Sequence, residues 1–299
     1  MLTSVKALLS SVVDYAGLFT PAKLDMEEAM SNYARYQTTP YSWMLGHFVV
    51  PVSRLGELEE LLPRFALKQW LIGAIVSPDV ELELNWVHSL YNHNQIAIAA
   101  LEFPPLPPTE IEKVFPRLPP DIDSFFEIPL KGDVDAYLAA VQHTGASAKV
   151  RTGGITADAF PSTTQLCQFM VACAKAQVPF KATAGLHHSL PANYRLTYEP
   201  DSPLSHMHGF LNVVILAALI YWQKVTPEEA LEVLKENAIE GFQFKEDGIA
   251  WRVKRNYPVG NRQLNISEIK AVRQQFFRSF GSCSFQEPID DLKHLNLIS

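Results

Sequence analysis

The sequence predicts an α/β fold, a parallel (β/α)8-like barrel of the TIM type, and three observations point to it. Short apolar runs alternate with helical patterns from Gly46 to Ala184, at a period of about 25 to 30 residues, which is the spacing of parallel βα units. A chain of 299 residues fits one such barrel as a single domain, 1–299. The stretch from Ser147 to His188 shows the unit most plainly: two apolar strands each run into charge and then glycine, with a helical pattern over Thr164 to Lys175 between them.

Taken in order, Leu2 to Val13 reads as a short amphipathic helix ending in the loop Asp14 to Phe19, and Asp14 as an acid paired with a backbone amide or a lysine. A second helix spans Met26 to Tyr36 with Asp25 as N-cap, so residues 1–42 form an N-terminal helical segment. Strands are expected at Gly46 to Val50, Trp70 to Val76, Ile96 to Leu101, Ser124 to Ile128, Ala148 to Val150 and Pro179 to Ala184. Helices are expected between them at Leu55 to Phe65, Val80 to Tyr91, Glu110 to Phe115, Val134 to Val141 and Gln165 to Ala176. Prolines after the third strand cannot continue a ladder and mark its exit, with Thr109 suited to cap the helix that follows.

Beyond the sixth strand the alternation fails. Ser189 to Ser205 reads as a long loop, followed by an apolar helix from Met207 or His208 and by a helix with Thr226 as N-cap and Pro227 at its first position. Over Phe242 to Arg252 an Asp-Gly turn makes a hairpin compete with a seventh parallel strand, so the barrel is expected to be irregular at its last two units. The barrel core is placed at 43–253. A helix over Ile266 to Phe277, opened by Asn265 or Ser267, and a closing helix over Pro288 to Leu297 make 254–299 a C-terminal helical extension.

Composition narrows the function. A net charge of -7 gives no general attraction for nucleic acid or anionic membrane, and any anion site must be local. The longest apolar run, Gly209 to Trp222, contains Asn212 and falls short of the roughly 18 to 20 residues of a membrane span. Without a signal-peptide pattern, the expectation is a soluble cytoplasmic protein, and a homo-oligomer is compatible with this composition. Three cysteines make no disulfide framework. Cys167 and Cys173 read as core thiols, and Cys283 has no base recognisable beside it.

The chemistry-bearing residues gather at expected strand ends: Glu102, Glu127, Lys149, Arg151 and Lys181. Barrel sites form at the carboxyl ends of several strands, so these residues should share one mouth. Two acids against three bases would leave a local excess of positive charge and favour a small anionic substrate. The alternative is a buried ion-pair network, but such pairs add little stability over apolar packing, which favours a functional reason. Arg151, Thr152, Gly153 and Gly154 are placed to hold an anion through a guanidinium and closely approaching amides, with Thr183 and Gly185 on the next strand end. His208 at a helix start and Asn212 one turn on could face the same ligand. A buried lysine beside other cations should have a lowered pKa and act as a nucleophile toward a carbonyl.

Phe180-Lys181-Ala182-Thr183-Ala184-Gly185 resembles the K-T-S-T-G strand end of deoxyribose-phosphate aldolases, and Ala148-Lys149-Val150-Arg151-Thr152-Gly153-Gly154 is similar to their K-A-S-G-G strand, in reversed order along the chain. The resemblance implies Lys181 as the imine-forming residue and Lys149 as the neighbour that tunes it. Most of the chain also resembles an uncharacterised family of bacterial TIM-barrel-like proteins bearing D-Y-A-G-L-F, K-x-R-T-G-G, F-K-A-T-A-G-L-H-H and H-G-F-L-N, present here at 14–19, 149–154, 180–188 and 208–212. That likeness implies the barrel and no particular reaction.

The leading expectation is therefore an aldolase-like lyase acting on a small phosphorylated or carboxylated carbonyl compound, without a cofactor. Lys181, Lys149, Glu127, Glu102, His187 and His188 are its candidate catalytic residues. A rival expectation is a metal-dependent hydrolase or lyase that holds a divalent ion with His187, His188, His206 and His208. The third is a non-catalytic barrel that binds a small anion.

Overall fold

Eight short strands close into a parallel barrel. The computed structural model describes residues 1–252 and 262–299. Its barrel strands are β1 (Val13–Tyr15), β2 (Leu45–Pro51), β3 (Trp70–Ile75), β4 (Ile96–Phe103), β5 (Asp123–Glu127), β6 (Ser147–Arg151), β7 (Phe180–Thr183) and, after a long excursion, β13 (Phe277–Ser282). They pair in the order β1-β13-β7-β6-β5-β4-β3-β2 and the ring is closed by the parallel β1–β2 contact. The fold is the α/β TIM-type barrel that the alternation predicts.

Helix α1 (Thr3–Leu9) precedes β1, and α2 (Met26–Tyr36), α3 (Leu55–Leu61), α4 (Val80–Leu90), α5 (Pro108–Val114), α6 (Val134–Thr144) and α7 (Thr163–Ala176) intervene between successive strands. Asp25 caps α2 by accepting from the Glu28 amide, as expected. The expected cap Thr109 lies inside α5, whose first position is Pro108, where a missing N–H costs nothing.

Two barrel strands lie outside the expected core of 43–253. β1 hides at the end of an apolar run, Leu8-Leu9-Ser10-Ser11-Val12-Val13, that suits a helix as well as a strand; α1 ends at Leu9, and Ser11 turns the chain with a φ of 48°. β13, Phe-Arg-Ser-Phe-Gly-Ser, lacks β-branched residues because its inward side meets a polar interior, and the segment read as a helical extension therefore contains the eighth strand. The expected boundary at 253/254 touches residues outside those described.

Between β7 and β13 the expected irregularity is found. The long loop folds into an antiparallel hairpin, β8 (Ala192–Arg195) with β9 (Leu204–Met207). Next come the apolar helix α8 (Phe210–Tyr221) and α9 (Pro227–Lys235), the latter opened by a Thr226–Glu229 capping box. The Asp-Gly turn makes the hairpin rather than a seventh parallel strand: β10 (Phe242–Lys245) and β11 (Gly248–Trp251) pair antiparallel, and β12 (Arg262–Asn265) extends them into a separate sheet. α10 (Ile266–Gln275) starts at Asn265, and α11 (Gln286–His294) closes the chain. Among the described residues no helix is long and apolar enough to cross a membrane.

Candidate active site

Strand alternation decides what points inward. On β1, Val13 and Tyr15 face outward, and Tyr15 stacks on Phe48 at 5.9 Å in a cluster that includes Tyr33 and Trp70. That packing turns Asp14 into the barrel. Gly46 on β2 leaves the room its carboxylate fills, since a Cβ there would overlap Oδ1. Register then sets Glu127, Lys149 and Lys181 side by side on β5, β6 and β7, with Glu102 arriving from β4.

These side chains form one chain of contacts. Lys181 Nζ donates to Asp14 Oδ2 at 2.5 Å and to Glu102 Oε1 at 2.6 Å. Ser279 Oγ on β13 also donates to Asp14 Oδ2, at 2.5 Å, and the His47 amide to Oδ1 at 3.0 Å. The His47 ring Nδ1 stands 3.1 Å from the same oxygen, off the line of a hydrogen bond. Lys149 Nζ lies 3.6 Å from Glu102 Oε2 and 3.4 Å from Glu127 Oε2, looser contacts than those of Lys181. Arg151, half exposed at the rim, donates to Glu127 through Nε at 3.0 Å and Nη2 at 3.3 Å.

Three expectations are corrected here. Asp14, expected in a loop, is fully buried at the centre, although its lysine and amide partners are of the expected kinds. It brings the acids to three, Asp14, Glu102 and Glu127, against Lys149, Lys181 and Arg151, so among the described residues this cluster is balanced and the expected excess of positive charge is absent. Nor is the Lys181 pKa lowered. Burial, the largest single influence, pulls it down, but Asp14 and Glu102 together outweigh burial and raise it above its ordinary value. In the same way burial raises the Asp14 and Glu102 carboxyls, yet Lys181 with His47 holds Asp14, and Lys181 with Lys149 holds Glu102, below the ordinary carboxylate range.

Above the cluster, at the carboxyl ends of the strands, opens a cavity of about 270 Å³. Glu102, Glu127, Lys149, Arg151, Thr183 and Gly154 line it, whereas Lys181 does not. His187 and Cys283 form the opposite wall. The His187 Nδ1 stands 3.0 Å from Ser282 Oγ, 3.3 Å from Glu287 Oε2 and 3.9 Å from Cys283 Sγ, and Tyr198 Oη is 3.4 Å from that sulfur. Burial lowers the His187 pKa, but Cys283 and Glu287 outweigh it and push it up to about 10. Cys283 therefore has partners that only the fold assembles, from β13 and the segments on either side of β8.

Other expected binding residues serve the architecture. The Thr152 hydroxyl donates to Ala184 O, and Thr152 is fully buried. Gly153 and Gly185 let two backbones touch: a Cβ on Gly153 would stand 2.7 Å from Gly185 Cα, and Gly185 has a φ of 76°. Asn212 Nδ2 donates to Val233 O and Glu236 O, both at 2.7 Å, tying α8 to the end of α9. His208 is buried with Nε2 2.8 Å from Pro161 O, away from this cavity.

The four histidines proposed for a metal occupy different settings. His188 stacks on Tyr194 at 3.5 Å and meets Asp291 at 3.3 Å, while His206 is exposed with its ring 6.0 Å from that of His208. Among the described residues no group of three or more His, Cys, Asp or Glu side chains is gathered as a metal ion requires. Compared with known proteins, the sequence matches no family model and no curated protein.

Proposed function

We propose that the protein is an imine-forming lyase of the aldolase kind, acting on a small carbonyl compound with a carboxylate or phosphate at one end. The observation that carries this reading is a lysine amine, Lys149, that lines the cavity at the carboxyl ends between two carboxylates and beside a second lysine. The sequence alone assigns the imine to Lys181. Geometry favours the exchange of roles: Lys181 is held by two short ion pairs outside the cavity wall, and a protonated amine has no lone pair to offer.

In this reading Glu127 accepts the Lys149 ammonium proton. The freed amine adds to the substrate carbonyl carbon, and Glu127 returns the proton as the carbinolamine hydroxyl departs as water. Removal of the β-hydroxyl proton by the same carboxylate then breaks the Cα–Cβ bond, and the electron pair moves to the iminium nitrogen as an enamine. Glu102, fixed by Lys181, offsets the iminium charge. Protonation at carbon and hydrolysis release the second product and the free lysine. Arg151 and the imidazolium of His187 at the rim suit an anionic end group.

Borohydride reduction in the presence of a panel of aldehydes and ketones tests the proposal. An adduct on Lys149, located by peptide mass spectrometry and absent in Lys149→Arg, is the expected result. Failure to trap any adduct, with turnover that survives Lys149→Arg, overturns it.

A further inference from the structure

The amino end of the barrel holds a second cavity, of about 590 Å³, lined by Lys270, Arg273, Arg278, His47, Ser279 and Phe125. Its charges are one-sided in a chain of net charge -7: among the described residues its lining contributes three full cations and one carboxylate, Asp123, which pairs with Arg278 at 2.5 Å. Lys270 is exposed and has no ion-pair partner among the described residues. It precedes Arg273 by three positions on α10, so the two heads share one helix face.

Arg273 is the anomaly. Its guanidinium donates to carbonyl oxygens, those of Phe277, Ser10 at 3.1 Å and Ser11 at 3.5 Å, and stands over the Phe277 ring. No carboxylate meets it among the described residues, and its Nε is buried without a hydrogen bond. Interior and half-buried cations elsewhere in this protein are paired: Lys149, Lys181 and Lys224 with carboxylates, and Arg262 with Glu229. A cation partly withdrawn from water with no carboxylate in contact is costly, and burial, with the charge of Arg278, outweighs the attraction of Asp14 and pushes the Arg273 pKa down to about 10.

We propose that this cavity binds a small multivalent oxyanion, a phosphate ester or a polycarboxylate, which supplies the counter-charge that Arg273 and Lys270 lack. The site is distinct from the cavity at the carboxyl ends and does not depend on the lyase reading. Two of its lining residues, His47 and Ser279, are also the contacts of Asp14, which in turn holds Lys181. An anion bound there competes with Asp14 for the imidazole and the hydroxyl, so occupancy at one end of the barrel is transmitted to the lysine cluster at its centre.

Calorimetric titration of the full chain with inorganic pyrophosphate and with citrate tests this, followed by NMR of the histidine rings with the His47 signals assigned through His47→Asn. Saturable, salt-sensitive binding is expected, with the His47 signals shifting along the same isotherm. Binding of pyrophosphate alone assigns phosphate esters and binding of citrate alone assigns polycarboxylates. Lys270→Gln, at an exposed position that the fold does not need, should weaken binding several-fold, and Lys270→Gln with Arg278→Gln by about tenfold or more, the cost of losing charge-assisted contacts. Arg151→Gln, at the opposite mouth, should change it far less than the double variant does. The proposal is overturned if neither anion gives saturable binding, or if binding is lost in Arg151→Gln and retained in the double variant. Neither readout needs turnover, so this result stands apart from that of the borohydride experiment.

Discussion

The carboxylate of Asp14 and the ammonium of Lys181, 167 positions apart in the chain, meet at 2.5 Å in the centre of the barrel. The contact joins β1 to β7 across the interior, although each strand has β13 as its neighbour in the sheet. Both side chains are withdrawn from water, so each depends on the other for its charge.

Removing one member should therefore cost more than removing both. Asp14→Ala leaves Lys181 with Glu102 alone, and Lys181→Met leaves two carboxylates facing each other; each single variant should lose about 3 to 5 kcal/mol. The pair Asp14→Ala with Lys181→Met should lose less than either single variant, because the desolvation penalty leaves with the charges. Urea denaturation of the four proteins in a double-mutant cycle measures this, and additive losses would count against a coupled pair.

The proposed assignment of the imine to Lys149 separates kinetic effects. Glu127→Gln removes the proton acceptor nearest Lys149 and should lower kcat about 10²- to 10⁴-fold while the fold is retained. Arg151→Gln removes a rim contact and should raise KM with kcat little changed, the pattern of lost ground-state binding. Steady-state kinetics on whichever carbonyl compound the trapping experiment selects distinguishes them. Equal kcat losses in both variants would argue that Arg151 acts through Glu127 rather than on the substrate.

Six of the eight barrel strands were legible in the sequence because their outward faces are apolar and their helices well patterned. β1 and β13 were not: β1 is only three residues at the end of an apolar run that suits a helix as well, and on β13 Ser279 and Gly281 stand on the inward face where apolar residues would mark a strand. Missing β1 concealed Asp14, and with it the charge balance. Lys149, Lys181, Glu102 and Glu127 were legible because charge at the end of a buried strand needs a reason. Asn212 and Thr152 were misread because a buried hydrogen bond to a backbone carbonyl leaves the same sequence trace as a ligand contact.

Three cysteines in distinct settings give a probe of the cavity. Cys283 lines it beside His187 and Tyr198, whereas burial pushes the thiols of Cys167 and Cys173 up and seals Cys173 in the core. Iodoacetamide should modify Cys283 first, and a trapped carbonyl adduct should slow that modification. Peptide mapping after timed labelling checks the order, and faster labelling of Cys167 would place the reactive thiol elsewhere.

The histidine on that wall sets a pH dependence of stability. The pKa of His187 rises from 6.5 to about 10 on folding, against burial, because Cys283 and Glu287 stabilise the imidazolium. A group with a raised folded pKa contributes its full stability below the unfolded value and loses it as pH climbs to the folded one. The contribution of His187 is thus complete below pH 6.5 and declines between pH 6.5 and about 10. Lys181, raised above its ordinary 10.5, keeps its contribution through that window, and Asp14 and Glu102, both lowered, lose theirs only in acid. Unfolding free energies across the window should fall with pH in the native protein and stay nearly flat in His187→Gln, with the two curves converging at the alkaline end. A decline of equal slope in the variant would assign the titration to another group.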